Sequence, residues 1–310
     1  MRRGPPSSIV VVGSINMDLV MRVPRMPVVG ESVAGQDFVC VPGGKGGNQA
    51  VAAARMGAQV TMIGCLGVDE NGERLRASLE TEGINCEGLL TAPDVPSGVA
   101  MVIVDAGSQN AIVTVAGSNG RVSAELVATR IAALADARLV ICQMDIPYPT
   151  VEFTLFTAKG LGVPTLLNPS PVAGPLPPSW YAAVDYLVVN ELEAAMLSGF
   201  PVDSVSRAKE AAEALHRHGA RHVLITLGAK GVLAMFTNDG SHHCELYPAA
   251  RVSAVDTTGA GDTFVGAFAA ALANECSHAS AVAFAQAAAS ISVTRLGAQP
   301  SIPYLHELQS

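Results

Sequence analysis

The residues most able to do chemistry lie together in Asp256-Thr257-Thr258-Gly259-Ala260-Gly261-Asp262-Thr263-Phe264. Two glycines flank an alanine, and apolar residues then recur at Phe264, Ala267, Phe268, Ala271 and Leu272, the period of a helix. A helix entered from a glycine-rich loop presents amides without intrahelical acceptors and the positive end of its dipole, so an anion can rest against the main chain. Asp262 falls in or just before the first turn. There its carboxylate is favoured as the anion and can take a proton from a hydroxyl, while the adjacent amides hold developing phosphoryl charge. The stretch fits a phosphoryl-transfer site that carries its own base. A glycine-rich turn with an acid capping the helix would have the same sequence.

A site of this kind needs a frame. Ile9-Val10-Val11-Val12-Gly13 is a β-branched run ending in glycine, the pattern of a parallel strand buried on both faces. Gly13-Ser14-Ile15-Asn16-Met17-Asp18 follows at its carboxyl end, where open α/β sheets bind ligands. Asn16 and Asp18 can hydrogen-bond sugar hydroxyls, or can serve as turn residues. Pro42-Gly43-Gly44-Lys45-Gly46-Gly47-Asn48-Gln49-Ala50 then feeds an alanine-rich helix ending at Gly57, a second bare helix N-terminus. Its glycines let the backbone close over a small polyol, with Lys45 and Asn48 as donors. The spacing fits neither the P-loop nor the dinucleotide fingerprint.

A strand is expected over 60–65, with Asp69 capping a helix that runs toward Leu79. Short pieces punctuated by proline and glycine over about 20–42, with a hairpin of runs 98–104 and 111–115, predict a small sheet over about 20–42 and 97–116. Such a lid would exclude water from the site. Beyond it, helices over about 124–135, 149–160 and 204–218 alternate with strands over 139–143, 165–168, 186–190 and 223–227. This alternation predicts an α/β fold, a doubly wound and mainly parallel sheet flanked by helices. Gln143, Asp145, Asn168, Asn190 and Glu193 cluster at or just past strand ends. Thr226-Leu227-Gly228-Ala229-Lys230-Gly231 forms a strand-to-turn junction whose amides can meet a nucleotide phosphate or base. With no linker, repeat or low-complexity tract, residues 1–310 read as a single domain.

Composition narrows the partners. The 310 residues, 49% hydrophobic, can fill a sizeable core. A formal net charge of −8 without any lysine or arginine run argues against nucleic acid or an anionic membrane as partner, and for small soluble ligands. The six cysteines lack Cys-x-x-Cys spacing and read as small hydrophobes in a reducing compartment, so a cytoplasmic protein is expected. No apolar stretch reaches the roughly 18 residues of a membrane helix, and the N-terminus lacks the pattern of a signal peptide. His242-His243 beside Cys244 reads as a hairpin rather than a zinc site.

Taken as a set, the segments 13–18, 43–50, Asn168-Pro169, Asn190-Glu191-Leu192-Glu193, 256–262 and Val293-Thr294-Arg295-Leu296-Gly297-Ala298-Gln299-Pro300-Ser301 resemble the ribokinase-like carbohydrate kinases over about residues 8–305. The resemblance implies transfer of the ATP γ-phosphoryl group to O5 of D-ribose, with Asp262 as base and the amides of Gly259, Ala260 and Gly261 as anion hole. Matching sugar contacts are Asn16, Asp18, Gly44, Lys45, Gly46, Gly47, Asn48 and Asp145, the last in place of the family's usual glutamate. Asn190 and Glu193 match a motif tied to magnesium and phosphate placement. Thr226, Leu227, Gly228, Ala229, Lys230 and Gly231, together with Asn190 and Gly261, match the nucleotide site, and Gln286 stands near the adenine where histidine or asparagine is usual. An activating potassium ion is implied beside Asp256, Thr258, Ser292, Arg295, Gly297 and Ser301, held mostly through main-chain carbonyls. A homodimer paired through the lid is implied as well. Related kinases for 2-deoxyribose, a ketohexose or adenosine remain alternatives, as does a sugar sensor without catalysis, against which Asp262 argues. A nicotinamide oxidoreductase fails on the missing fingerprint.

Overall fold

The computed structural model describes residues 7–107, 109–172, 174–238 and 240–308. Among them two sheets form. In chain order the strands are β1 (Ser8–Val12), β2 (Asn16–Arg22), β3 (Asp37–Gly43), β4 (Gln59–Gly67), β5 (Asn85–Ala92), β6 (Gly98–Val104), β7 (Asn110–Val115), β8 (Leu139–Gln143), β9 (Thr165–Asn168), β10 (Tyr186–Asn190), β11 (His222–Thr226), β12 (Val232–Asn238) and β13 (Ser241–Tyr247). The larger sheet has nine strands in the order β13-β12-β11-β10-β9-β8-β1-β4-β5. It is parallel from β5 to β11, and β12 and β13 add an antiparallel edge.

Alternation along β1 shows why this sheet is covered on both sides. Ile9 and Val11 join one core cluster with the helices Lys45–Arg55, Ala260–Ala273 and His278–Ser292, whereas Val10 and Val12 join a second with Tyr148–Gly160 and Val205–Arg217. A strand buried on both faces must be apolar at every position, which is the run seen in the sequence. Small residues let the first group of helices close up. A Cβ on Gly266 would lie 2.5 Å from both the Ala52 Cβ and the Gln49 carbonyl oxygen, so the helices Lys45–Arg55 and Ala260–Ala273 meet at backbone distance. Gly266→Ala is therefore expected to lower stability by about 1–3 kcal/mol through overpacking, although alanine is the better helix former by about 1 kcal/mol. Denaturant unfolding measures the sum, and an unshifted midpoint would mean that the two helices separate at no cost.

The smaller sheet, β3-β2-β6-β7, stands apart as a lid. It begins earlier than the prolines and glycines indicated: Asn16 and Asp18 are not turn residues after β1 but lie on β2, paired with β3 on one side and β6 on the other. Two other features differ from expectation. The helix over 124–135 is two short ones, Ala124–Ala128 and Ile131–Ala135. Between them the Thr129 hydroxyl donates back to the Leu126 carbonyl (2.7 Å), and the Arg130 guanidinium donates to the Glu87 carbonyl (2.6 Å), so local and distant bonds displace helical ones. Strand β5 was also not evident, because Asn85, Glu87 and Gly88 interrupt its apolar pattern. Asp69 caps Glu70–Thr81 through Gly72 N, as expected, and the same carboxylate also binds Ser97 just before β6, tying the main sheet to the lid. Among the described residues no helix is long and apolar enough to cross a membrane.

Candidate active site

From β1 the chain builds β4 and β5 on one side and later β8 to β11 on the other, so β1 and β8 flank the switch point where ligands bind in open sheets. The residues that leave these two strands meet there. Ser14, just past β1, donates its hydroxyl to Asp145 Oδ2 at 2.9 Å, just past β8. Lys45 opens the helix capped by Gly44, and Gly46, Gly47 and Asn48 continue its first turn, so the glycine-rich segment is helix rather than loop. Asn16 Oδ1 accepts from Asn119 Nδ2 (2.7 Å), and Asn119 also pairs with the Ile15 amide (2.9 Å) and carbonyl (3.1 Å). Asn119 was not among the expected site residues, and nothing local marks it, since its partners lie more than a hundred positions away.

One lysine faces several acids here. Burial works against the Lys45 ammonium, but Asp262, Asp145, Glu193 and Asp18 outweigh it and hold its pKa above the ordinary value. Asp18 is pushed up to about 7 by burial first and then by Asp262 and Asp145, with Lys45 opposing. Burial also raises Asp145, checked by Lys45 and by the Ser14 hydroxyl. An acid that takes up a proton near neutrality thus sits beside a fixed cation.

Asp262 lies in the first turn of Ala260–Ala273, only 8% exposed. Its Oδ2 accepts from Asn48 Nδ2 and its Oδ1 from Gln49 Nε2, both at 2.9 Å. Gly259 caps the helix in the left-handed region (φ 73°), and a Cβ there would approach the Ala298 Cα to 3.0 Å. Gly261 differs: a Cβ on it would meet nothing within 4 Å. No packing inside the chain accounts for glycine at 261, and the space is open for a ligand to reach the backbone. The Ala260 amide donates to the Thr257 carbonyl at 3.2 Å. Gly261 and Asp262 supply the first-turn amides that an intrahelical acceptor cannot satisfy.

Asp262, Gly259 and Gly261 line one cleft of about 200 Å³ with Lys45, Asn168, Ser170, Val188, Val189, Asn190, Glu193 and Thr226, at the carboxyl ends of β9, β10 and β11. Asn190 and Glu193 form a capping box: Asn190 Oδ1 accepts from Glu193 N (2.8 Å), and Glu193 Oε2 accepts from Asn190 N (2.9 Å). After Thr226, Leu227 packs into the core, and Gly228–Lys230 make one tight turn in which the amides of Lys230 and Gly231 bond internally. Lys230 pairs with Glu191 at 3.4 Å. Gln286 Nε2 donates to the Tyr247 carbonyl at 2.8 Å.

Behind Gly259, Asp256 Oδ1 accepts from Thr258 N (2.9 Å) and Oγ1 (2.7 Å), and its Oδ2 accepts from Gly297 N (2.9 Å). Burial opposes its ionisation, but these bonds prevail and hold the carboxylate below its ordinary range. Ser292 and Ser301 turn their hydroxyls to the Ala289 and Ala298 carbonyls, and Arg295 pairs with Glu307. The side chains of this region therefore shape the loop. His242 and His243 lie exposed on β13, and among the described residues no three or more His, Cys, Asp or Glu side chains group so as to hold a metal ion by themselves.

A buried carboxylate at a bare helix N-terminus, with a cation and polyol-binding groups on one side and an open glycine on the other, can deprotonate a hydroxyl and hold a phosphoryl group. Comparison with known proteins points the same way. The chain is 40% identical over 300 residues to a ribokinase of Haemophilus influenzae, covering 97% of this chain and 96% of that one. It is 36% identical over 299 residues to a deoxyribokinase of Salmonella typhi, covering 96% of each. Among solved structures, that of Arabidopsis thaliana ribokinase complexed with ribose and ATP superimposes with a TM-score of 0.87 at 32% identity, over 99% of this chain and 98% of the other. The family described as pfkB family carbohydrate kinase matches residues 6–305, and the chain belongs to that family.

Proposed function

We propose that this chain transfers the γ-phosphoryl group of ATP to O5 of D-ribose, giving ribose 5-phosphate and ADP. The observation that carries the reading is the position of Asp262 between the Asp18–Lys45–Asn48 cradle and the open first turn at Gly261. Asp262 takes the proton of the sugar hydroxyl. The sugar oxygen bonds to the γ-phosphorus as the bond to the bridging oxygen breaks, and ADP leaves with that electron pair. Because the Ala260 amide already bonds to the Thr257 carbonyl, the expected anion hole of Gly259, Ala260 and Gly261 shifts by one residue, and the amides of Gly261 and Asp262, at the positive end of the helix, stabilise the charge that develops on the phosphoryl oxygens. Asn16, Asp18, Lys45, Asn48 and Asp145 bind and orient the sugar, and Thr226 and the turn after it face the nucleotide.

Asn190 and Glu193 line the cleft and would hold a magnesium ion, since the capping box uses only one of the two Glu193 carboxylate oxygens. Magnesium bound with the phosphates neutralises their charge. Carbonyls of the 256–258 loop and the 292–301 segment would be the ligands of a potassium ion. Strand β7 is exposed along its whole length, with Ile112, Val113 and Val115 more than half exposed, which suits pairing of two lids in a homodimer. The balance of acidic charge and scattered cysteines suits the cytoplasm.

Phosphorus NMR of the product from ATP and D-ribose tests the reading. A phosphomonoester coupled to the two C5 protons is expected; no product, or phosphate on another oxygen, would overturn it. Asp18 adds a second expectation. Its raised pKa keeps it protonated below about 7, and it ionises as pH rises through that value. Hydroxyls donate more strongly to a carboxylate than to a carboxylic acid. Ribose binding at pH 6 should therefore release most of one proton from Asp18. Calorimetry in two buffers of different ionisation enthalpy reads this directly, and equal binding enthalpies would contradict it.

A further inference from the structure

A chain of amides lies behind the base. Gln49 is fully buried in the helix Lys45–Arg55, with Asn48 before it and alanine and valine after it in sequence. Its Nε2 donates to Asp262 Oδ1 (2.9 Å) and to Asn168 Oδ1 (3.0 Å), and its Oε1 accepts from Gln143 Nε2 (2.7 Å). Asn168 in turn donates to the Val188 carbonyl (2.9 Å). These partners fix the direction of the Gln49 amide. Reversed, it would set its oxygen against two oxygens and its NH2 against the NH2 of Gln143. Gln143 is also fully buried and packs close against Gly13, where a Cβ would fall 1.9 Å from its Oε1, and that oxygen has no hydrogen-bond partner.

The two donors to Asp262 are not equivalent. Asn48 Nδ2 holds Oδ2, and Asn48 Oδ1 is buried without a partner, so Asn48 has an unused acceptor to offer a sugar hydroxyl. Gln49 has both of its amide atoms engaged in protein bonds. We infer that Gln49 is a positioning residue for the base: it fixes Oδ1 and leaves Oδ2 for the sugar hydroxyl, and the bond from Gln143 holds the other end of the Gln49 amide in place. The inference rests on Asp262 being the base.

The test uses Gln49→Met, close in volume but without either polar atom. The expected result is a fall in kcat on the order of 10²-fold with the ribose KM moved less than about threefold. Gln143 does not touch Asp262, so Gln143→Met should give the same pattern at on the order of 10-fold, and no further loss in the Gln49→Met background. If Gln49→Met does not fold, Gln143→Met carries the same readouts. Variants with lowered melting temperature but kcat within about threefold, or with KM raised as much as kcat falls, would overturn the inference. The two levels remain separable: turnover by Asp262→Asn removes the base itself, whereas an inactive Asp262→Asn beside wild-type-like Gln49→Met and Gln143→Met removes only the positioning role.

Discussion

Asp262→Asn is expected to lower kcat by about 10²–10⁴-fold, the range of a lost general base, while ribose binding changes by less than about threefold. The structure explains why the two separate. An asparagine can still accept from Gln49 through its oxygen, and its new NH2 can donate to Asn48 once that amide turns to present Oδ1, which has no partner at present. The fold is therefore retained. The sugar contacts at Asn16, Asp18 and Lys45 are untouched, the turned Asn48 faces the sugar with its NH2 in place of its oxygen and a hydroxyl can accept from it, and removing the Asp262 charge eases the ionisation of Asp18, to whose raised pKa it contributes. What is lost is the acceptor for the hydroxyl proton. Turnover within about tenfold of wild type, measured in the same preparation that binds ribose normally, would deny Asp262 that role.

Lys45→Met is expected to weaken ribose binding by about 10²–10³-fold, from the 3–5 kcal/mol typical when one partner of a buried charged group is removed. Lys45 is the cation that opposes the rise of both Asp18 and Asp145. Without it both acids shift further up, so ribose binding should need a higher pH as well as more sugar. Stability follows the same sign. A carboxyl whose folded pKa is raised favours the folded state while protonated and loses that contribution as pH rises through the folded value. The variant should thus melt lower at pH 8 than at pH 6 by more than the wild type does. Calorimetry for binding and thermal melts at the two pH values check both parts; wild-type affinity at pH 7 would show that Lys45 is not the site's counter-ion.

Much of this organisation was legible in the chain itself, for reasons that differ by element. β1, β8, β9 and β10 are short β-branched or leucine-rich runs buried on both faces, and such runs have few alternatives. Asp262 stood out because a helix-start pattern, two glycines and an acid coincide within a few residues. The partners of Asp262 were harder to read. Gln49 bonds it across 213 positions and Asn119 reaches Ile15 across 104, and a contact of that span leaves no period or turn signal in either segment. A polar residue inside an alanine-rich helix was the one available hint at Gln49. The lid was placed by its prolines and glycines, so its first strand was missed where Asn16, Met17 and Asp18 carry none. The break at Thr129 and Arg130 depends on the Glu87 carbonyl, which no local rule supplies.

The most direct measurement is the rate of ADP release with ATP and magnesium across D-ribose, 2-deoxyribose, fructose and adenosine, each with and without potassium. D-Ribose should show the highest kcat/KM, and potassium should raise it. A preference for 2-deoxyribose would place the chain with its deoxyribokinase relative and move attention to Asp145. No ADP release with any of the four would contradict the assignment of a sugar kinase.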